Sequence, residues 1–116
     1  MRSVQPDATN QVVLGKQGEN RAEQVFFCIA GWAEEYGEGT YTLACQRPKD
    51  AGAYPVNVEL DGDYVKWTIT DAETAFGGYG SAQLIYTVNG VIAKSVVYQT
   101  YVVPSIDTTE DPPDGW

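Results

Sequence analysis

Tyr54-Pro55-Val56-Asn57-Val58-Glu59-Leu60 runs into Asp61-Gly62, and the chain continues Asp63-Tyr64-Val65-Lys66-Trp67-Thr68-Ile69-Thr70. Apolar and polar residues alternate with period two on both sides of the Asp-Gly pair, the pattern of two half-buried strands joined by a tight turn. With Asp61-Gly62 as the loop, Leu60 faces Asp63, Val58 faces Val65, Val56 faces Trp67 and Tyr54 faces Ile69. Glu59 then meets Tyr64 and Asn57 meets Lys66. One face is apolar and the other polar, so turn and pattern agree on a register.

The same logic extends outward. Asn89-Gly90 predicts a second two-residue turn with Val88 opposite Val91, Tyr86 opposite Ala93, Leu84 opposite Ser95 and Ala82 opposite Val97. Gln83, Ile85, Thr87 and Lys94 fall on the outer face, and Ile92 also lies outside the core. Further alternating segments run from Gln11 to Leu14, Ala22 to Ile29, Thr40 to Arg47, Ser81 to Val88 and Val91 to about Val103. Twelve Gly and six Pro punctuate them, and no window of a dozen residues carries a helical stripe. The chain is read as all-β, an Ig-like antiparallel β-sandwich of about 7–9 strands. Its last segment would measure about 43 Å if straight. That length predicts a bulge or bend near Tyr98 to Thr100, or an overhang open to β-augmentation by a partner.

The 116 residues suffice for one core, since a chain of this size buries about two-thirds of its surface. Three segments are expected: a flexible N-terminal arm over 1–10, the sandwich over 11–106, and an acidic, Pro-rich linker over 107–116 whose Pro112-Pro113 favours an extended PPII conformation. A natural domain seldom stops on such a sequence, so the chain is expected to be the N-terminal part of a longer polypeptide. Met1 to Gln11 lacks the apolar stretch of a secretory signal and no run approaches the roughly 20 apolar residues of a membrane span, so synthesis in a cytoplasm is expected.

Seven Lys and Arg stand against 16 Asp and Glu, a formal net charge of −9. Four of the acids fall in the tail and three in the loop around Trp32, which leaves the sandwich proper closer to neutral. This balance disfavours nucleic acid and anionic membrane surfaces as partners. There is no His, which removes the ordinary proton shuttle at neutral pH, Ser/His and Cys/His triads, and the usual catalytic zinc site. Composition therefore points away from an enzyme and toward a soluble binding or structural domain without a cofactor or metal.

Candidate sites are few. Glu34, Glu35 and Glu38 lie around Trp32 and Tyr36 in the stretch Gly31 to Gly39, and a glycosidase would need two carboxyls about 5–10 Å apart across a cleft. Adjacent residues of a strand point to opposite sides, so a solvated acidic loop is preferred. Asp61, Asp63, Asp71 and Glu73 offer oxygen ligands for calcium but match no EF-hand loop. Cys28 and Cys45 fit neither a CxxC pair nor a zinc knuckle and are read as buried free thiols, a disulfide requiring neighbouring strands. Phe27, Tyr41, Trp67 and Tyr86 have core parity. Trp32, Tyr36, Tyr64 and Tyr79 remain to face a partner. The glycines around Tyr79 suggest a kinked turn or close backbone approach, because a phosphate loop needs a strand-to-helix context that is missing.

Gly18-Glu19-Asn20-Arg21-Ala22, the Phe26-Phe27 strand, Trp32, Gln46-Arg47-Pro48, Tyr54-Pro55-Val56, the Asp61-Gly62 hairpin with Trp67, Gly80 to Tyr86, Lys94-Ser95 and Asp111-Pro112-Pro113 follow one another in an order that resembles the N-terminal Ig-like domain of siphophage baseplate upper proteins and phage minor structural proteins. The resemblance covers about Val12 to Ile106. It implies a non-catalytic virion module that docks a tail, baseplate or fibre protein to the particle, as part of a homo-oligomer, with strand edges and the neighbourhoods of Arg21 and Arg47 making the contacts. A different class of function stays open, a carbohydrate-binding sandwich in which Trp32, Tyr36 and Tyr79 stack on host-surface glycans near Glu34 and Glu35. That reading requires the three aromatics to share one exposed, concave patch.

Overall fold

A computed structural model describes residues 2–105. Nine strands and one short helix succeed one another: β1 (Arg2–Val4), β2 (Gln11–Lys16), β3 (Glu23–Cys28), α1 (Trp32–Tyr36), β4 (Thr40–Gln46), β5 (Tyr54–Val56), β6 (Glu59–Asp61), β7 (Tyr64–Thr68), β8 (Gly78–Val88) and β9 (Val91–Val103). They form a four-stranded sheet in the order β1-β3-β7-β6 and a five-stranded sheet in the order β2-β9-β8-β4-β5. The all-β sandwich expected from alternation is present. Its sheets are mixed, however, because β1 runs parallel to β3 and β2 parallel to β9. Residues 2–4, expected as part of a flexible arm, are thus the edge of the smaller sheet. The linker expected over 107–116 lies outside the described residues, as does Ile106.

The two inner faces supply the core. Val25, Phe27, Val65 and Trp67 of the smaller sheet are buried against Leu14, Leu43, Leu84, Tyr86, Tyr98 and Val102 of the larger. Phe27 joins the layers, stacking on Trp67 within its own sheet at 6.4 Å and tilting against Tyr98 across the sandwich at 4.6 Å between ring centroids. Such aromatic pairs contribute about 0.5–1.5 kcal/mol beyond the area they bury.

Both hairpins form, each with a register that differs from expectation. In the first, Asp61 pairs with Tyr64, Leu60 with Val65 and Glu59 with Lys66, so the loop is Gly62-Asp63. Gly62 takes φ of 56° and Asp63 is not among the residues of positive φ, the arrangement of a loop with Gly at its first central position. The shift brings the Lys66 ammonium 3.1 Å from the Glu59 carboxylate. The strand expected from Tyr54 to Leu60 is broken at Asn57 and Val58. Tyr54 and Val56 pair with Cys45 and Leu43 of the larger sheet, and the chain then crosses to the smaller one.

In the second hairpin Val88 faces Val91 across Asn89-Gly90, whose φ values of 52° and 77° suit a type I′ turn. The register then slips at Ala93, so that Lys94 faces Tyr86, Val96 faces Leu84 and Tyr98 faces Ala82. The irregularity expected near Tyr98 to Thr100 therefore sits about six residues earlier, where it rotates Val96 and Tyr98 toward the core. Helix α1 begins after Gly31 and ends at Gly37, both at positive φ. Cys28 is exposed on the smaller sheet and Cys45 is buried in the larger. Both are free, which corrects the expectation of burial for Cys28.

Candidate functional site

Of the seven exposed large apolar residues described, six, namely Val13, Tyr79, Val91, Ile92, Val97 and Val103, belong to β2, β8 or β9, and Leu60 lies on β6. Strand parity explains why. Along β9 the side chains of Val96, Tyr98, Thr100 and Val102 turn toward the sandwich interior, leaving Ser95, Val97, Gln99 and Tyr101 on the outer face of the larger sheet. Register then aligns rows across that face. Val13, Tyr101 and Tyr79 form one row, and Gln11, Gln99, Ser81 and Gln46 a second. Val97, Gln83 and Ala44 make a third, and Ser95, Ile85 and Thr42 a fourth. Among strand positions on this face Lys16, at its margin opposite Val103, is the sole charged side chain. In a chain that is 20% charged, an outward sheet face of this breadth with no carboxylate on its strands stands apart.

Tyr79 and Tyr101 lie side by side, ring centroids 4.6 Å apart and tilted by 40°. A shallow depression of about 190 Å³ opens beside them between Val13, Gln11, Gln99 and Asp7. Asp7 is already occupied there, its carboxylate accepting hydrogen bonds from the Thr9 hydroxyl and the Thr9 and Gln11 amides. Those bonds hold its carboxyl below the usual range and fix the turn into β2.

Of the residues singled out in the sequence, Tyr79 belongs to this face, with 64% of its surface exposed. Trp32 does not. It is 7% exposed and packs on Tyr41 and Tyr86, with the Lys94 ammonium 5.0 Å above its ring. Tyr36 is half-buried, edge-on to Tyr86. Because Tyr79 stands seven residues, about 23 Å, along β8 from Tyr86, the three aromatics expected to share a sugar-stacking patch are not brought together. Glu34 and Glu35 occupy the single turn of α1 rather than a strand.

Arg47 is a structural tether. Its guanidinium makes two hydrogen bonds to Asp50, at 2.8 and 2.9 Å, donates to the Ala72 carbonyl, and lies between the rings of Tyr54 and Phe76. Arg21 is exposed and adopts φ of 56°, its amide donating to the Ile69 carbonyl. Both arginines thereby secure the segment that follows β7, where Glu73 is buried and accepts from the Thr70 amide, the Thr70 hydroxyl and the Tyr54 hydroxyl. Glu73, weighed as a calcium ligand with Asp61, Asp63 and Asp71, is instead a cap for its own turn. No group of three or more His, Cys, Asp or Glu placed to hold a metal occurs among the described residues.

Sequence reasoning overlooked the outer face itself. Tyr101, Val97, Gln99 and Val13 carry no motif, and only correct registers for β2, β8 and β9 reveal that they share a surface.

Neither the family models nor the curated proteins include a match to this chain. Among solved structures, the N-terminal domain of phage TP901-1 ORF48 superposes with a TM-score of 0.54 at 14% sequence identity, over 87% of this chain and 94% of that one. At that identity the likeness is one of fold: this sandwich is similar to a domain found at the N-terminus of a phage protein.

Proposed function

We propose that the chain is a non-catalytic phage virion module that joins a tail, baseplate or fibre protein to the particle through protein–protein contacts. The observation that carries this reading is the outer face of the larger sheet, where Tyr79, Tyr101, Val13 and Val97 are presented with no carboxylate at the strand positions and Asp7 alone at the margin. A surface of that kind suits another protein better than it suits solvent. Two independent likenesses support the phage assignment: the order of motifs, which resembles siphophage baseplate upper proteins, and the fold shared with the ORF48 N-terminal domain. The partners are other phage tail or baseplate proteins, the assembly includes more than one copy of the chain, and its place of action is the virion. No reaction is part of this function. Contacts come from the sheet face and not, as the sequence suggested, from Arg47, whose donors are spent within the chain.

Mass spectrometry of gradient-purified particles from the strain that encodes the chain tests the proposal. Peptides of this protein are expected in the particle fraction in proportion to the tail proteins. Their absence from particles that contain a full set of tail proteins overturns it.

A further inference from the structure

We infer that the outer face of the larger sheet packs against the same face of a second copy, related by a twofold axis that passes near Val97 and Gln83. This rests on the docking reading of that face and names its occupant.

The edges β5, β6, β2 and the open half of β9 are defended against continuation by another strand. β5 carries Pro55, which lacks the N–H a new ladder would need. β6 carries Glu59 and Asp61, and β2 is irregular between Val13 and Gly15 and ends on Lys16. The open half of β9, from Val91 to Tyr98, is interrupted by the slip at Ala93 and followed at once by Lys94. Bulges, prolines and charges are the devices that blunt an edge. The β-augmentation expected along β9 therefore gives way to a contact through the face, which has no such defence.

Charge selects the occupant. Two copies that each carry a formal −9 repel one another, and least where the facing surfaces are poor in carboxylates. A basic partner would be met by several acids, and this face offers only Asp7 at its margin, whose carboxylate is already engaged by its own turn. Its polar groups are Gln11, Gln83, Gln99, Ser81, Ser95 and Thr42. Amides and hydroxyls both donate and accept, so such a surface can satisfy itself across a twofold, as an isologous contact requires. β8 and β9 run the 26 Å or so from Tyr79 to Thr87, while β4, the three residues of β5 and the first half of β2 cover part of it, so the face spans about 500 Å² per copy. Doubled, this is about 1,000 Å², the size of a weak, concentration-dependent association.

Analytical ultracentrifugation of the whole chain, from micromolar to millimolar, is the test, with Val97→Glu and Leu60→Glu as variants. Val97 and Leu60 are 59% and 65% exposed, on the face and on the opposite sheet respectively, and circular dichroism verifies that both variants fold. A concentration-dependent dimer is expected, with a Kd raised at least tenfold by Val97→Glu and unchanged by Leu60→Glu. Raising salt from 50 to 500 mM should tighten it, because the residual repulsion between copies is screened. A strictly monomeric chain at millimolar concentration overturns the inference, as does a dimer weakened by Leu60→Glu and indifferent to Val97→Glu. Either result leaves the virion assignment standing, since that depends on recovery of the protein in particles.

Discussion

Replacing Trp32 with Ala separates a core role from a binding role for this residue. The ring is 7% exposed, with Tyr41 and Tyr86 at 6.0 and 5.9 Å, and α1 exists chiefly to deliver it there. Truncating a buried Trp to Ala costs about 3–5 kcal/mol, because the transfer energy of the indole is lost and a cavity remains. A domain of this size has only about 5–15 kcal/mol to lose. With a urea m-value of about 1–3 kcal/mol/M, the unfolding midpoint should fall by about 2 M at unchanged slope. Fluorescence of Trp67, buried at the centre of the other sheet, reports the transition in the variant as in the parent. Tyr79→Ala is the control, with an expected change within about 0.5 kcal/mol for an exposed side chain outside the core. A Trp32→Ala midpoint within about 0.3 M of the parent would refute the packing argument and return Trp32 to the surface.

Three further outcomes follow from local geometry. Burial pushes the Cys45 thiol up to about 11, while Cys28 is exposed; a thiol reagent at pH 8 should modify one cysteine rapidly and the second only on unfolding, and two equal fast phases would contradict the burial of Cys45. A Cβ on Gly39 would overlap the Thr87 carbonyl oxygen, so Gly39→Ala should destabilise by about 1–3 kcal/mol through displacement of β4 from β8, measurable by chemical denaturation and refuted by a neutral result. Glu23 is buried with its Oε2 unpartnered among the described residues, and burial raises its carboxyl above the ordinary value near 4.5, opposed by the Arg2 guanidinium 2.6 Å away and reinforced by Glu19. A raised folded-state value means that the stability contributed by this group is complete below about pH 4.5 and lost as pH rises through the folded value. The parent should accordingly gain stability relative to Glu23→Gln on going from pH 7 to pH 4, and a relative loss on acidification would reverse the assigned direction.

The parts of this fold legible in the sequence are those where a residue type dictates backbone geometry. Asn89-Gly90 marks its turn because both residues must adopt positive φ, and they do. Alternation places Val65, Trp67, Leu84 and Tyr86 inside, as found. The slip at Ala93 is illegible because Val91 to Tyr98 carries apolar side chains in both parities, so no register leaves the pattern clean. Asp61-Gly62 misleads for a related reason: the dipeptide signals a turn, yet the positive φ needed at the first loop position is met by Gly62 with Asp63 after it. Five-residue α1 is too short to show a period, which is why Trp32 and Tyr36 looked like loop residues. The candidate site depended on the slip at Ala93 and on the pairing of β2 with β9, since its face is visible only when the registers of β2, β9, β8 and β4 are right.

The parallel pairings of β1 and β2 reach beyond architecture into the timing of assembly. Gln17, just after β2, accepts a hydrogen bond from the Ser105 amide 88 residues away, and β2 pairs along the sheet edge with β9. Contacts of such sequence separation form late and slowly. On a ribosome delivering about 5–20 residues per second, β3, β6 and β7 can pair while β2 still waits for β9 to emerge. The amino-terminal segment thus serves as a clasp that the last strand fastens, and the broad, charge-poor face, which includes Val13 of β2 and Tyr101 of β9, comes into being only at that final step.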